Sequence, residues 1–108
     1  MTVDEERDPS LPAPPVLAPA GELDMDSLGP LAAKIETALA QHDSIVLDAS
    51  GITFGDSMFL RLVLSAHSQG DLRIAAPSST VSRLFRVVGA DTVLQIYPTI
   101  KDALDTAT

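Results

Sequence analysis

Two polar residues, Asp56 and Ser57, interrupt the apolar stretch IVLDASGITFGDSMFLRLVL at residues 45–64, where a helix is expected to begin. Asp and Ser are both preferred as helix N-caps, so one interpretation of the pair is capping, worth about 1 kcal/mol. The other interpretation is regulatory. A helix N-terminus favours added negative charge, and a phosphoserine carries about −1.5 to −2. The residues themselves leave both interpretations open, and capping is the simpler one.

Nucleophilic catalysis at Ser57 is not expected, because a serine nucleophile needs a base within hydrogen-bond reach. His67 lies ten residues further along the same predicted helix, about 15 Å away at 1.5 Å per residue. His42 precedes the strand predicted at 44–49, which puts it near the opposite edge of the sheet, about 15 to 20 Å away. The sequence therefore predicts that the protein is not an enzyme.

Phosphate and metal sites are also weakly supported. Gly51 and Gly55 lack the following Lys and the spacing of a phosphate-binding loop, so we interpret them as shaping the loop. Asp24, Asp48 and Asp56 are all expected near one edge, which suggests a magnesium site, and Asp48, at the end of a strand, resembles the phospho-acceptor of a receiver domain. The paired N-terminal acids and the late strand-end Lys of such a domain are absent. The simpler interpretation of Asp48 is a strand-end acid bonded to loop amides, and no metal or cofactor is predicted.

The composition describes a single globular domain behind an unusual N-terminus. The chain has 108 residues, of which 45% are hydrophobic, and its net charge of −8 disfavours direct nucleic-acid binding. It has no cysteine, and neither a leader pattern nor a membrane span is evident, so we expect a cytoplasmic protein with no membrane association. Residues 1–15 are acidic and rich in proline, which predicts a flexible tail before a domain at 16–108.

Apolar periodicity then predicts an alternation of strands and helices. Strands are predicted at 16–21, 44–49, 71–77 and 92–97, with helices beginning near Leu28, Ser57, Ser79 and Thr99. Pro19 lacks an amide donor and favours a sheet edge for the first strand. The alternation predicts an α/β fold with a mostly parallel sheet, whose loops after the strands meet at one edge, where ligands usually bind.

The helix predicted at 57–68 has few polar residues for a helix that covers a sheet. Its expected wet face offers Ser57, Arg61 and two later serines, while Met58 and Leu62 fall on or beside the same stripe. Either these two side chains pack under a neighbouring loop, or they form an exposed apolar patch beside Ser57, suited to docking a partner.

These motifs resemble the STAS family, the anti-sigma-factor antagonists of bacteria, over residues 16 to about 105. GELD at 21–24 resembles the turn before the family's first helix, and IVLDASGITFGDS resembles its long strand and phosphorylation loop. RLFRVVGADTVLQIYPTIKDAL resembles its third helix, last strand and final helix. The resemblance implies a mixed, mostly parallel sheet of four to five strands with about four helices.

The resemblance also implies a function. Such a protein binds an anti-sigma factor that is also an ATP-dependent serine kinase, so that the sigma factor is freed for transcription. Phosphorylation of the serine after the Asp ends this binding, and a phosphatase restores it. By position, the acceptor is Ser57. Because the kinase brings ATP and magnesium, the chain itself needs no cofactor, and a monomer is expected when it is free.

The predicted partner-binding residues follow from the same positions: Asp56, Ser57, Met58, Phe59, Leu62 and Asp24. For Phe59 a place in the core is an equal alternative. Two departures stand out: Met58 and Phe59 replace the family's Ser and Gly, and the proline-rich tail replaces the segment that usually forms the first strand. A second possible function is a STAS-like binding module of a lipid-transport or sensor assembly that does not act on a sigma factor.

Overall fold

The computed structural model describes residues 14–24 and 26–105. The predicted flexible tail, residues 1–15, lies almost wholly outside the described residues, so it and the domain boundary remain predictions. The described part contains six strands: β1 (Val16–Leu17), β2 (Gly21–Leu23), β3 (Ser44–Asp48), β4 (Ile52–Gly55), β5 (Asp71–Ala75) and β6 (Gln95–Tyr97). Its helices are α1 (Leu28–Gln41), α2 (Ser57–Gln69), α3 (Ser79–Val88) and α4 (Ile100–Asp105).

The strands form two sheets. The larger sheet has the order β1-β3-β5-β6, and the smaller one pairs β2 with β4. Every pairing among the described strands is parallel. This confirms the predicted α/β class with a mostly parallel sheet and four helices, and β1 lies at the sheet edge that Pro19 favours.

The small sheet forms because two neighbouring extended segments are each interrupted, and the two interruptions lie side by side. Pro19 interrupts the first segment between β1 and β2, and the second segment breaks between β3 and β4 around Gly51. A Cβ on Gly51 would lie 3.2 Å from the Ala20 Cβ and 3.3 Å from the Pro19 oxygen, so the two breaks pack closely. The stretch between the predicted strand at 44–49 and the helix predicted from Ser57, where the sequence indicates only a loop, thus contains strand β4, which pairs with β2.

The two faces of the main sheet differ in their cover. On one face, α1, α2 and α3 enclose the larger core, to which β3 contributes Ile45 and Leu47 and β5 contributes Leu72 and Ile74. On the other face, α4 packs Ala103 against Val46 and Ala75. Helix α2, which begins at Ser57, therefore lies on the sheet face that carries the larger core.

Local residues end α3 and begin α4. Gly89 follows α3 with a φ of 78°, the left-handed conformation that favours glycine. Thr99 opens α4, where its hydroxyl accepts a hydrogen bond from the Asp102 amide at 3.0 Å. Within the described residues, no helix combines the length and the apolarity needed to cross a lipid bilayer.

Candidate functional site

The loops that leave β3, β5 and β6 meet at one edge of the sheet, as predicted. The Ala49 amide donates to the Ala75 oxygen at 2.9 Å, and the Ala76 amide donates to the Tyr97 oxygen at 2.9 Å. The Ser78 amide donates to the Ala49 oxygen at 3.2 Å, which joins the first two loops directly. The edge is therefore one hydrogen-bonded unit.

Ser78 fastens this edge to the segment that leads into α2. Its hydroxyl donates to the Ile52 oxygen at 2.7 Å and accepts from the Val81 amide at 3.2 Å. One side chain thus caps α3 and holds β4. The sequence shows a serine at a helix start, which is the capping signal, but the second bond requires β4, which sequence reasoning missed.

Asp56, not Ser57, caps α2. The Asp56 Oδ1 accepts from the Met58 amide at 3.0 Å and the Phe59 amide at 3.2 Å. Ser57 is the first residue of the helix and is exposed, and its hydroxyl makes no hydrogen bond with another described residue. The pair therefore divides its tasks: Asp56 has the structural one, and the Ser57 hydroxyl remains accessible.

Phe59 lies in the core, which is the alternative that the sequence left open. Its side chain is 0% exposed and stacks on Phe85 with ring centroids 6.3 Å apart. A Cβ on Gly55 would lie 2.7 Å from the Phe59 Cδ2, so the absence of a side chain at 55 makes room for the ring. The prediction that Phe59 contacts a partner is therefore wrong, because its ring fills the space under α2.

The apolar surface beside Ser57 contains one residue that the sequence prediction missed. Met58 is 45% exposed, and Leu62 is half-buried against the core. Phe54, on β4 three residues before Ser57, is 48% exposed. We call Phe54, Met58 and Leu62 the apolar patch, since all three lie within five residues of Ser57 along the chain. Strand alternation gives no signal for the exposure of Phe54, because positions 52 and 54 share a face of a strand and Ile52 is buried.

Asp24 reaches the same edge through the small sheet. Leu23 on β2 pairs with Gly55 on β4, so Asp24 and Asp56 follow directly after paired residues of neighbouring parallel strands. The Asp24 carboxylate accepts from the amides of Ser27 and Asp26 and from the Ser27 hydroxyl. These bonds, that of the Ser27 amide first, hold the pKa of Asp24 below its ordinary value.

The remaining acid, Asp48, is a strand-end acid bonded to the following loop, which is the simpler interpretation of this residue. Its Oδ1 accepts from the Ser50 amide at 3.0 Å and the Ser50 hydroxyl at 2.8 Å, which closes the turn after β3. Within residues 14–24 and 26–105, no group of three or more Asp, Glu or His side chains is arranged to hold a metal ion. The edge is built from hydrogen-bonded turns, with the apolar patch beside it.

Comparison with known proteins gives one family and several structural relatives. Residues 7–96 match the family model described as "Mlab, STAS domain". No curated protein sequence matches the chain. The structure resembles the anti-sigma factor antagonist SpoIIAA in its unphosphorylated form, with a TM-score of 0.73 and 27% identity over 89% of this chain and 90% of that one.

Two further structures share the fold alone, since their identity is below 25%. An anti-sigma factor antagonist from Mycobacterium paratuberculosis has a TM-score of 0.75 and 24% identity over 84% of this chain and 82% of that one. The STAS domain of a SulP transporter from Vibrio cholerae has a TM-score of 0.68 and 19% identity over 97% of this chain and 89% of that one.

Proposed function

The chain belongs to the STAS domain family, and from that premise we propose that it is an anti-sigma-factor antagonist whose binding is switched off by phosphorylation of Ser57. In this proposal the unmodified protein binds an anti-sigma factor that is also a serine kinase, and a phosphatase reverses the modification. The likeness to SpoIIAA, an anti-sigma factor antagonist at 27% identity, supports this choice within the family. The protein then acts as a binding module in the control of transcription and not as an enzyme.

One observation carries the proposal: the Ser57 hydroxyl is exposed at the first position of α2 while Asp56 supplies the cap. A kinase therefore reaches the hydroxyl without opening the helix. The Ser57 oxygen attacks the γ-phosphorus of ATP, a new O–P bond forms as the bond to ADP breaks, and the hydroxyl proton leaves to a base of the kinase or to water. The product carries its new charge beside the apolar patch.

Charge beside the apolar patch is what makes a switch. A few large apolar side chains near the centre of an interface supply most of its energy, and Phe54 and Met58 are exposed here. A dianionic phosphate next to them has to lose its water when the partner docks, which costs several kcal/mol, roughly, unless the partner supplies a cation. Phosphorylation therefore weakens binding without altering the fold.

The acceptor assignment is tested by incubating the protein with an anti-sigma kinase and ATP and mapping the phosphate by mass spectrometry. We expect label on Ser57, none in Ser57→Ala, and undiminished label in Ser65→Ala, which removes an exposed hydroxyl two turns further along α2. Label that persists in Ser57→Ala, for example on Ser50 or Ser78, would show that the acceptor lies elsewhere.

A second candidate is a STAS-like binding module of a lipid-transport or sensor assembly. The observation that favours it is the description of the matching family model, which names Mlab and not an antagonist. A pull-down from native extract with the unphosphorylated protein separates the two: recovery of a kinase-type anti-sigma factor supports the antagonist, whereas recovery of transporter subunits supports the second candidate.

A further inference from the structure

Arg61 lies one helical turn after Ser57 on α2, and both residues are exposed. Residues four apart on a helix have Cβ atoms about 5 to 6 Å apart. Side chains on a helix lean toward its N-terminus, so a long side chain at position 61 extends back over the turn that begins at Ser57. The guanidinium of Arg61 is therefore within reach of a group attached to the Ser57 oxygen.

Arg61 also has a charge that is not paired with another described residue. It is the one Lys or Arg on α2, and among the described residues it forms no ion pair. The elements packed against α2 carry exposed Lys34 and Glu36 on α1 and exposed Arg83 and Arg86 on α3. They also carry the Asp71–Arg73 pair on β5, whose charges already meet at 2.7 Å. None of the described acids forms an ion pair with the guanidinium of Arg61.

We infer that Arg61 is the internal counterion of a phosphate on Ser57, bound to it across one turn of α2. The inference rests on the proposed function, because it concerns the phosphorylated state. A guanidinium matches the spacing of phosphate oxygens and binds two of them at once. An anion at position i with a cation at i+4 is also the favourable orientation along a helix. Asp56 uses one carboxylate oxygen, Oδ1, to accept from the first amides of α2 and forms no ion pair with Arg61.

The pairing changes what phosphorylation does to the surface. In the unmodified protein, Arg61 offers a positive charge beside the exposed Met58, three residues earlier on the same helix. In the phosphorylated protein, that charge is held by the phosphate. The partner therefore meets a new anion and also loses a cation that was available to its own acidic groups, so one modification changes the local electrostatics twice.

The test uses phosphoserine inserted at position 57 during translation, so that no kinase is needed, and measures the second pKa of the phosphate by ³¹P NMR titration. Because a guanidinium stabilises the dianion, Arg61→Gln is expected to raise this pKa by about 0.3 of a pH unit. Arg61→Lys is expected to keep part of the effect, since it retains the charge but not the planar fork. Arg86→Gln is the matched control, because it removes an exposed Arg from α3 and is expected to leave the phosphate unchanged.

Two results would overturn the inference. One is an identical phosphate pKa in Arg61→Gln and the unaltered sequence. The other is an equal rise in Arg86→Gln, which would reduce the effect to net charge. The proposed function fails by a different route, if the unmodified protein does not bind an anti-sigma kinase, and that result does not alter the phosphate titration.

Discussion

Met58 and Phe59 are neighbours in sequence, but α2 turns one outward and the other into the core. Met58 is 45% exposed and Phe59 is 0% exposed. We expect Met58→Ala to weaken partner binding about tenfold while changing the free energy of unfolding by less than about 0.5 kcal/mol. Phe59→Ala is expected to cost about 3 to 5 kcal/mol of stability, because it empties the space beside Phe85. Titration calorimetry and urea unfolding measure the two quantities separately.

Variants of Ser57 test the effect of charge at the position next to Met58. Ser57→Asp adds one negative charge and is expected to weaken partner binding less than phosphate does. Ser57→Ala is expected to leave partner binding intact. Full affinity in both Met58→Ala and Ser57→Asp would show that this surface is not the interface. The proposed switch would then be wrong.

For single residues, the sequence was informative where the signal was local. The Asp56–Ser57 junction could be predicted because an N-cap depends on the next three residues, and those residues are adjacent. The roles of Phe54 and Phe59 could not be predicted, because the exposure of each side chain depends on segments that are distant in the sequence. Phe54 becomes a strand residue only when β2 pairs with β4, and Phe59 is enclosed by Phe85 from α3.

Gly55 joins β4 to α2 and sets how closely the two elements pack. A Cβ at this position would lie 2.7 Å from the Phe59 ring, and the ring cannot move away because it stacks on Phe85. We expect Gly55→Ala to destabilise the protein by about 1 to 3 kcal/mol in urea unfolding. Gly29→Ala, where an added Cβ meets nothing within 4 Å, is the control and is expected to cause no loss. Equal stability of both variants would mean that the close approach at Gly55 carries no constraint.

Arg73 fastens α4 to the sheet face opposite the other helices. It is 5% exposed, and its guanidinium donates to the Ala103 oxygen at 2.9 Å and to the Asp71 carboxylate at 2.7 Å. Arg73→Met keeps the length of the side chain but removes both bonds, so we expect a loss of about 2 kcal/mol. Hydrogen exchange should speed up first in α4 and less in α1. Arg83→Met, exposed on α3, is the control, and equal exchange in the two variants would contradict the role of Arg73.

Elements with their own periodicity could be predicted, and those that depend on a distant partner could not. Helix α2 and strand β5 lie close to their predicted ranges of 57–68 and 71–77, because apolar spacing within each segment specifies them. Strand β4 has four residues bounded by Gly51 and Asp56, so no periodicity develops, and its partner β2 lies about thirty residues earlier. The sequence predicted one strand over 16–21, whereas the structure ends β1 at Leu17 and begins β2 at Gly21, so neither the break at Pro19 nor the matching break at Gly51 was predicted.

Among the described residues, Asp24 and Asp71 have lowered pKa values, which makes the stability of the whole fold depend on acid pH. Burial raises the pKa of Asp71, but hydrogen bonds from Arg73 and Gln95 and the charge of Arg73 lower it further, so its net pKa lies below the ordinary value of about 3.9. The pKa of Asp24 is also lowered, by the Ser27 amide first. Since the unfolded chain binds these protons more readily, the stability that both groups provide is complete above about pH 4 and is lost as pH falls through their folded-state pKa values.

Urea unfolding between pH 6 and pH 2.5 measures this loss. We expect the midpoint to fall steeply below about pH 4 in the unaltered protein. Asp71→Asn is expected to lower the midpoint at pH 6, because it breaks the pair with Arg73, and to flatten its fall at acid pH, so that the two curves converge. Asp91→Asn removes an exposed carboxylate from the turn after α3 and should keep the full pH dependence of the unaltered sequence. Parallel curves for Asp71→Asn and the unaltered protein would show that this carboxylate does not link folding to pH, and the acid sensitivity would then have to come from Asp24 or from the net charge of the chain.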